Sequence, residues 1–268
     1  MRYFSISPYP DEELSSVVTR ACRRAGLPPR RFLRWYFDAP DERSLRSYGN
    51  LLVPMSRLTG MSQEELLRQH TLVPYALATL ERGEARRIRT LMCQGKALQS
   101  RYIVGKVARR WCERCATRDT NQFGETYWHR SHLLPGVTRC HVHDQELLDS
   151  GDKLHHLRLH KALTFWLGDA LPQDLQGGQR MQLPISSRVQ QCFAVLSART
   201  LEWHRKLPPT AATFDELHRV FGSDALRHAG CVTRFIDRFP PTTMQLLAIV
   251  TASCKSGLLN GDQLELGF

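Results

Sequence analysis
Apolar residues recur along the start of the chain at the spacing of a helix buried on one side. Over residues 11–25, Leu14, Val17, Val18, Ala21, Cys22 and Ala25 fall at steps of three and four, and Gly26 with Pro28 closes the run. Arg20, Arg23 and Arg24 read as its outer, basic face. A second, short helix is expected from Arg30 to Phe37. Ser62 with Glu65 forms a capping box that opens a helix to about His70, and Thr59-Gly60 makes the turn before it. The run from Met55 to Leu67 thus predicts two helices at a tight corner. Such a corner is compatible with a helix-turn-helix, although many helical domains contain one. After residue 150 the pattern turns helical again. Val189, Cys192, Phe193, Leu196, Thr200 and Trp203 mark a long amphipathic helix ended by Pro208-Pro209. Thr213 with Glu216 caps another that closes at Gly222, a third runs from Ser223 to about Ala229, and the last spans about Pro241 to Ser253.

Charge narrows the partners. The chain carries 37 Lys and Arg against 26 Asp and Glu over 268 residues, a formal net charge of +11. An arginine-rich surplus suits phosphate and bases, so a nucleic-acid partner is expected. The stretch from Arg82 to Arg114 concentrates the cations, and Arg86, Arg87, Arg101, Lys106, Arg109, Arg110, Arg114 and the later Arg130 are candidate nucleic-acid contacts. The opening residues lack the apolar core of a signal peptide, and the longest apolar run, near 244–252, is too short to span a membrane. A cytoplasmic protein keeps its thiols reduced, so the eight cysteines read as metal ligands or small buried hydrophobes. Cys22 and Cys192 sit on apolar helix faces and read as packing residues.

Four residues carry chemistry. Cys112 and Cys115 are two residues apart, as are Cys140 and His143 some twenty-five residues later. Each pair can reach one tetrahedral ion, and together they form a closed Cys3His set for one structural Zn2+. His143 suits the second knuckle better than His141, while His129 and His132 lie between the knuckles as competitors. A hairpin is expected there, with Phe123-Gly124 near its turn and Tyr127-Trp128 as strand aromatics, the layout of a zinc ribbon. A closed site leaves no position for a catalytic water.

The run from Trp111 through Cys112-Glu-Arg-Cys115, Asp119, Gly124-Glu-Thr-Tyr-Trp-His-Arg-Ser-His132, Leu-Leu-Pro-Gly-Val137 and Cys140-His-Val-His143 resembles the core of the TniQ family. Pro10-Asp-Glu-Glu-Leu-Ser-Ser-Val17 is similar to its amino-terminal signature, and Leu58 to Leu66 matches its next helical corner. The resemblance covers about residues 8–150. Glu113 and His141 stand where members often have Pro, and Asp144 where Gly usually follows the ligand His. The resemblance implies a non-enzymatic adaptor of Tn-seven-like transposition. Such an adaptor links a target recogniser, either a CRISPR Cascade complex or DNA itself, to an AAA+ ATPase regulator of transposition (TnsC-like). In Cascade complexes the adaptor can sit as a head-to-tail homodimer.

The resulting expectation is a mainly α protein in three parts. Residues 1–98 form a helical, helix-turn-helix-like domain, residues 99–150 a zinc-ribbon module with a small β-hairpin, and residues 151–268 a helical domain. Two other readings compete. One is a zinc-stabilised helix-turn-helix transcription regulator. The other is an HNH-like endonuclease using His129 or His132, which lacks the Asn and the second acidic–His pair that such a site needs.

Overall fold
The computed structural model describes residues 4–37, 48–78, 80–96, 107–154, 179–180 and 187–202. Six helices come first: α1 (Leu14–Arg24), α2 (Pro29–Tyr36), α3 (Tyr48–Thr59), α4 (Gln63–His70), α5 (Val73–Leu77) and α6 (Arg82–Cys93). Strand β1 (Val107–Trp111) leads into α7 (Glu113–Phe123) and a 3-10 turn at Arg130–Leu133. Strands β2 (Leu148–Leu154) and β3 (Gln179–Arg180) follow, then α8 (Ser187–Glu202). The sheet order is β1-β2-β3, with both neighbours antiparallel. No helix among the described residues is long and apolar enough to cross a membrane. The helices expected beyond residue 202, with Arg101 and Lys106, lie outside the described residues.

Local chemistry explains the helix ends. Glu13 caps α1 by accepting from the Ser15 amide at 2.8 Å. At its other end the Leu27 amide reaches back to the Cys22 carbonyl and the Gly26 amide to that of Arg23, a Schellman closure. The capping box at α4 is complete: Ser62 Oγ accepts from the Glu65 amide and the Glu65 carboxylate accepts from the Ser62 amide. Residues 60–62 join α3 to α4 in a tight helical corner. The mainly helical class, with an antiparallel strand pair at a Cys/His cluster, is therefore the one the chain adopts.

The strands lie elsewhere than expected. They bracket the two knuckles from outside, as β1 and β2, and residues 113–123 between the knuckles are helical. Gly124, at φ +75°, is the left-handed C-cap of α7 and not a hairpin turn. The hairpin expectation rests on Phe123-Gly124 as its turn and Tyr127-Trp128 as strand aromatics, but a glycine that closes a helix and one that makes a hairpin turn look alike in sequence. The buried Cys115, Ala116 and Asp119 recur at helical spacing on the inner face.

Two apolar cores form. The first gathers α1 to α4 and α6 around Leu14, Val17, Phe32, Leu52, Met55, Leu66 and Ile88. The second surrounds the cysteines with Trp111, Trp128, Leu134 and Val137, and it draws in Leu72 and Tyr75 beside α5 and Phe193 and Leu201 of α8. Side-chain packing thus crosses the boundaries read from sequence at residues 98 and 150. Cys22 and Cys192 are buried, as packing residues should be.

A strap at residues 9–16 ties the cores together. The Glu13 amide donates to the Trp128 carbonyl at 2.8 Å, the Arg130 amide to the Asp11 carbonyl at 2.9 Å, and Tyr127 Oη to the Pro10 carbonyl at 2.9 Å. Tyr9 stacks on Phe123 with centroids 4.2 Å apart. Beneath the strap, Arg20 is not on an outer face. It is fully buried and grips Glu12 bidentately, Nε to Oε1 at 3.1 Å and Nη2 to Oε2 at 2.7 Å. Arg23 and Arg24 are exposed, as expected, and Arg24 donates to Glu125 at 2.8 Å. The error over Arg20 has a physical cause: periodicity places a residue on a helix face but cannot foresee a buried counter-charge from a neighbouring segment.

Burial raises the Glu12 carboxyl above its ordinary range, and only Arg20 and the Tyr9 and Ser16 donors work against that rise. Glu12→Gln should therefore cost about 3–5 kcal/mol by removing the close counter-charge of the buried Arg20 guanidinium and leaving it only Glu125, at 3.8 Å. The double variant Glu12→Gln/Arg20→Met should cost clearly less than the sum of the singles. Urea denaturation of the four proteins checks this.

Candidate metal centre
Each knuckle is built at a chain reversal. Cys112 is the N-cap of α7 and Cys115 lies in its first turn, where the helix's positive end favours thiolates. Glu113 occupies the first helical position, where Pro is also favoured, so the departure from the TniQ pattern leaves the turn intact. Its carboxylate also accepts from Gln145 Nε2 at 3.1 Å and so links the two knuckles. In the second knuckle the Asp144 amide donates to the Cys140 carbonyl at 3.0 Å, and the Cys140 amide to the Gln145 carbonyl at 2.8 Å. Asp144 sits at φ +47°, a conformation glycine adopts freely and Asp tolerates. Its carboxylate is held by Arg139 Nε at 2.7 Å.

The four expected ligand atoms converge. The Cys112, Cys115 and Cys140 sulfurs and the His143 ring nitrogen all lie within 4.8 Å of one another. Cys115 Sγ is 3.6 Å from Cys140 Sγ. His143 Nδ1 is 3.6 Å from Cys112 Sγ, 3.3 Å from Cys115 Sγ and 3.6 Å from Cys140 Sγ. A tetrahedral ion with metal–sulfur bonds of about 2.3 Å would set S–S edges of about 3.8 Å and S–N edges of about 3.5 Å. The four residues fit a metal ion, and His143 rather than His141, His129 or His132 completes them. The three cysteines are buried and His143 is half-buried. Hydrogen bonds from the Cys115 and Cys140 thiols hold the Cys112 thiol well below its ordinary range.

Neighbouring groups brace this cluster. His132 is buried with Nε2 3.8 Å from Cys115 Sγ, so it faces a ligand sulfur and not open solvent. Burial, with the charge on His129 adding to it, pushes the His132 imidazole well below its ordinary pKa. Pro135-Gly136 forms the centre of a turn closed by the Val137 amide on the Leu134 carbonyl at 3.2 Å, with Gly136 at φ +79°. Arg110 is buried beneath that turn and donates to the carbonyls of Val137 and, at 2.8 Å, Leu134. Burial lowers its pKa to about 10, with Asp149 opposing the shift.

The sequence drew no role for one buried polar network. His129 Nε2 is 2.7 Å from Asp119 Oδ2, and its Nδ1 lies 3.7 Å from Asp11 Oδ2. The same Asp11 carboxylate accepts from Arg130 Nε at 2.9 Å and from Ser131 Oγ at 2.6 Å. Burial disfavours charge on Asp11, but His129, Arg130 and Ser131 together hold it well below the usual carboxylate range. Burial disfavours the His129 imidazolium too, yet Asp11 and Asp119 raise its pKa from 6.5 to about 9. Asp119 is four residues beyond Cys115 on the inner face of α7, a spacing that could have flagged it.

The candidate nucleic-acid residues separate into two groups. Arg86, Arg87 and Arg114 are exposed. Arg109, Arg110 and Arg130 are buried and are corrected here from phosphate contacts to internal braces. Arg109 lies over the Trp128 ring at 5.3 Å, Arg110 holds the Pro-Gly turn, and Arg130 holds Asp11 and the Arg68 and Thr71 carbonyls. Charge counting along a chain does not distinguish a guanidinium in water from one that caps carbonyls inside.

Two outcomes test this arrangement. Cys140→Ser, or a strong chelator applied to the wild type, should melt the second core, because metal-binding free energy is folding free energy in such modules. Loss of near-ultraviolet circular dichroism from the surrounding Trp111 and Trp128 checks it. The His129 interaction should be fully present below pH 6.5 and lost as the pH rises through about 9, because the folded-state pKa is the higher one. The melting temperature of wild type should therefore fall more between pH 6.5 and 9.5 than that of His129→Gln.

No curated protein matches the chain. A family model described as TniQ matches residues 3–147, more than half of the 268, and takes in the strap, the helical corner and both knuckles. On that match the chain belongs to the TniQ family, whose members are associated with transposition.

Proposed function
We propose that the chain is a non-enzymatic transposition adaptor that links a target-site recogniser to an AAA+ ATPase regulator. The observation that carries this reading is the single family match across both the helical corner and the metal centre. It treats the two as one unit, and the strap that binds them supports that view. The recogniser is either a CRISPR Cascade complex or DNA bound by the adaptor itself. The ion is Zn2+: three thiolates and one imidazole at tetrahedral edges are a soft donor set that suits it. Four protein ligands saturate that ion, so its part is to hold α7, β1 and the second knuckle in register.

A nuclease would need a histidine open to solvent to activate water, whereas His129 is held by Asp119 and His132 is buried with Nε2 facing Cys115 Sγ. The test is reconstitution. With transposase, ATPase and target recogniser present, omission of the chain should reduce targeted insertion to background. Affinity-tagged chain should retain the ATPase regulator from a mixture of the purified components. Plasmid DNA incubated with the chain and Mg2+ or Mn2+ should stay uncut, and nicking that disappears in His132→Ala would overturn the adaptor reading in favour of the nuclease.

A further inference from the structure
The outer face of α7 has a composition that its metal-holding role does not explain. Arg114, Thr117, Arg118, Asn121 and Gln122 recur at steps of three and four and are all exposed. With His143 they line one open groove of about 630 Å³. Of the acids of α7, Glu113 borders this stripe one turn before Thr117 and accepts from Gln145, and Asp119 is buried against His129. Arg118 has only a long contact with Asp119, 3.6 Å, and Arg114, Asn121 and Gln122 have no side-chain partner among the described residues. A stripe of two guanidiniums, two carboxamides and a hydroxyl, with no carboxylate and no large apolar side chain, is poorly suited to a protein partner's apolar core. It matches duplex DNA: guanidiniums pair with phosphates or guanine, and Asn and Gln read adenine edges.

His143 adds a donor on the same groove. Its Nδ1 faces the three sulfurs, so a metal held through Nδ1 leaves the hydrogen on Nε2. The helical corner offers a weaker alternative. Its second helix, α4, presents Glu64 and Glu65 in its first turn, where phosphate would meet carboxylate.

We infer that the outer face of α7 is a duplex-DNA contact surface, with Arg114, Arg118 and His143 on the phosphate backbone and Asn121 and Gln122 toward base edges. An 11-residue helix is about 16 Å long and fits the major groove, about 12 Å wide. This inference deepens the adaptor reading and rests only on its nucleic-acid half.

The test uses the full-length, zinc-loaded chain and a short fluorescent duplex titrated across a salt series. All substituted positions are exposed, and zinc content and melting temperature establish that the variants fold. Arg114→Gln and Arg118→Gln should each weaken binding and reduce the magnitude of the salt slope by about 1. Asn121→Ala/Gln122→Ala should keep that slope but lose any base preference that wild type shows in selection from a random duplex pool. An unchanged affinity and slope in Arg114→Gln/Arg118→Gln would overturn the inference, as would a loss found only in Arg86→Gln/Arg87→Gln on α6. Failure of wild type to bind any duplex would overturn it as well. In that case retention of the ATPase regulator would still separate this failure from failure of the adaptor reading.

Discussion
A buried bidentate pair, Glu12 with Arg20, sets the geometry of the joint between the two cores. Both side chains are fully buried, and each supplies the close counter-charge of the other, with Glu125 a more distant second partner of Arg20 at 3.8 Å. The pair fixes the backbone at Glu12, and that backbone is busy on both sides. The Glu12 carbonyl meets His70 Nδ1 at 2.8 Å, and the flanking Asp11 and Glu13 bond to residues 128–131. One ion pair thereby orients α1, the end of α4 and the strap that reaches the metal module. An apolar pair of similar volume could fill the same space, but it would not dictate the rotation of the strap.

The metal cluster plays the matching part in the second core. Its apolar residues come from α5, α7, the 3-10 turn and α8, of which only α8 is long, and the two knuckles are separated by a helix that carries its own exposed polar face. A small core assembled from such pieces gains little from area alone. Four ligands brought to one ion would remove the largest uncertainty, the distance between the start of α7 and the turn at residues 140–144. The Asp11–His129–Asp119 network then fixes the rotation of α7 about its own axis, since Asp119 must face inward. The Cys/His cluster and the network therefore act on different degrees of freedom of the same helix.

How much of this was legible in the sequence follows from the range over which each interaction acts. The caps at Ser62 and Gly26, the apolar face of α1 and the two Cys/His pairs are local patterns, and all appear where the spacing put them. The family signature around Pro10 to Val17 was visible as a pattern, but its meaning was not, because Asp11 and Glu13 act on residues more than a hundred positions away. The segment between the knuckles was misread for the opposite reason. Its Gly124 and strand-like aromatics pointed one way, and the Cys/His cluster at the helix start, with Asp119 drawn inward, pointed the other. Tertiary demands prevailed over local preference.

Burial also reorders the arginines, and this bears on what the basic surplus is for. Of the cations counted toward a polyanion, Arg20, Arg109, Arg110 and Arg130 are buried and serve as multi-donor braces for carbonyls, carboxylates or an aromatic ring. Arginine suits that duty because its planar fork can satisfy several acceptors at once. A guanidinium committed in this way contributes to the long-range field but cannot pair with a phosphate. The surface that remains able to do so is narrower than the net charge implies; among the described residues exposed arginines lie on most helices, and those expected as nucleic-acid contacts are Arg86 and Arg87 on α6 and Arg114 on α7. On α7 it is mounted on a helix whose start carries two of the four Cys/His residues placed to hold a metal and whose rotation Asp119 sets. Recognition of a groove depends on donors held to within a fraction of an ångström, so a helix fixed in both respects is the better placed of the two to read DNA.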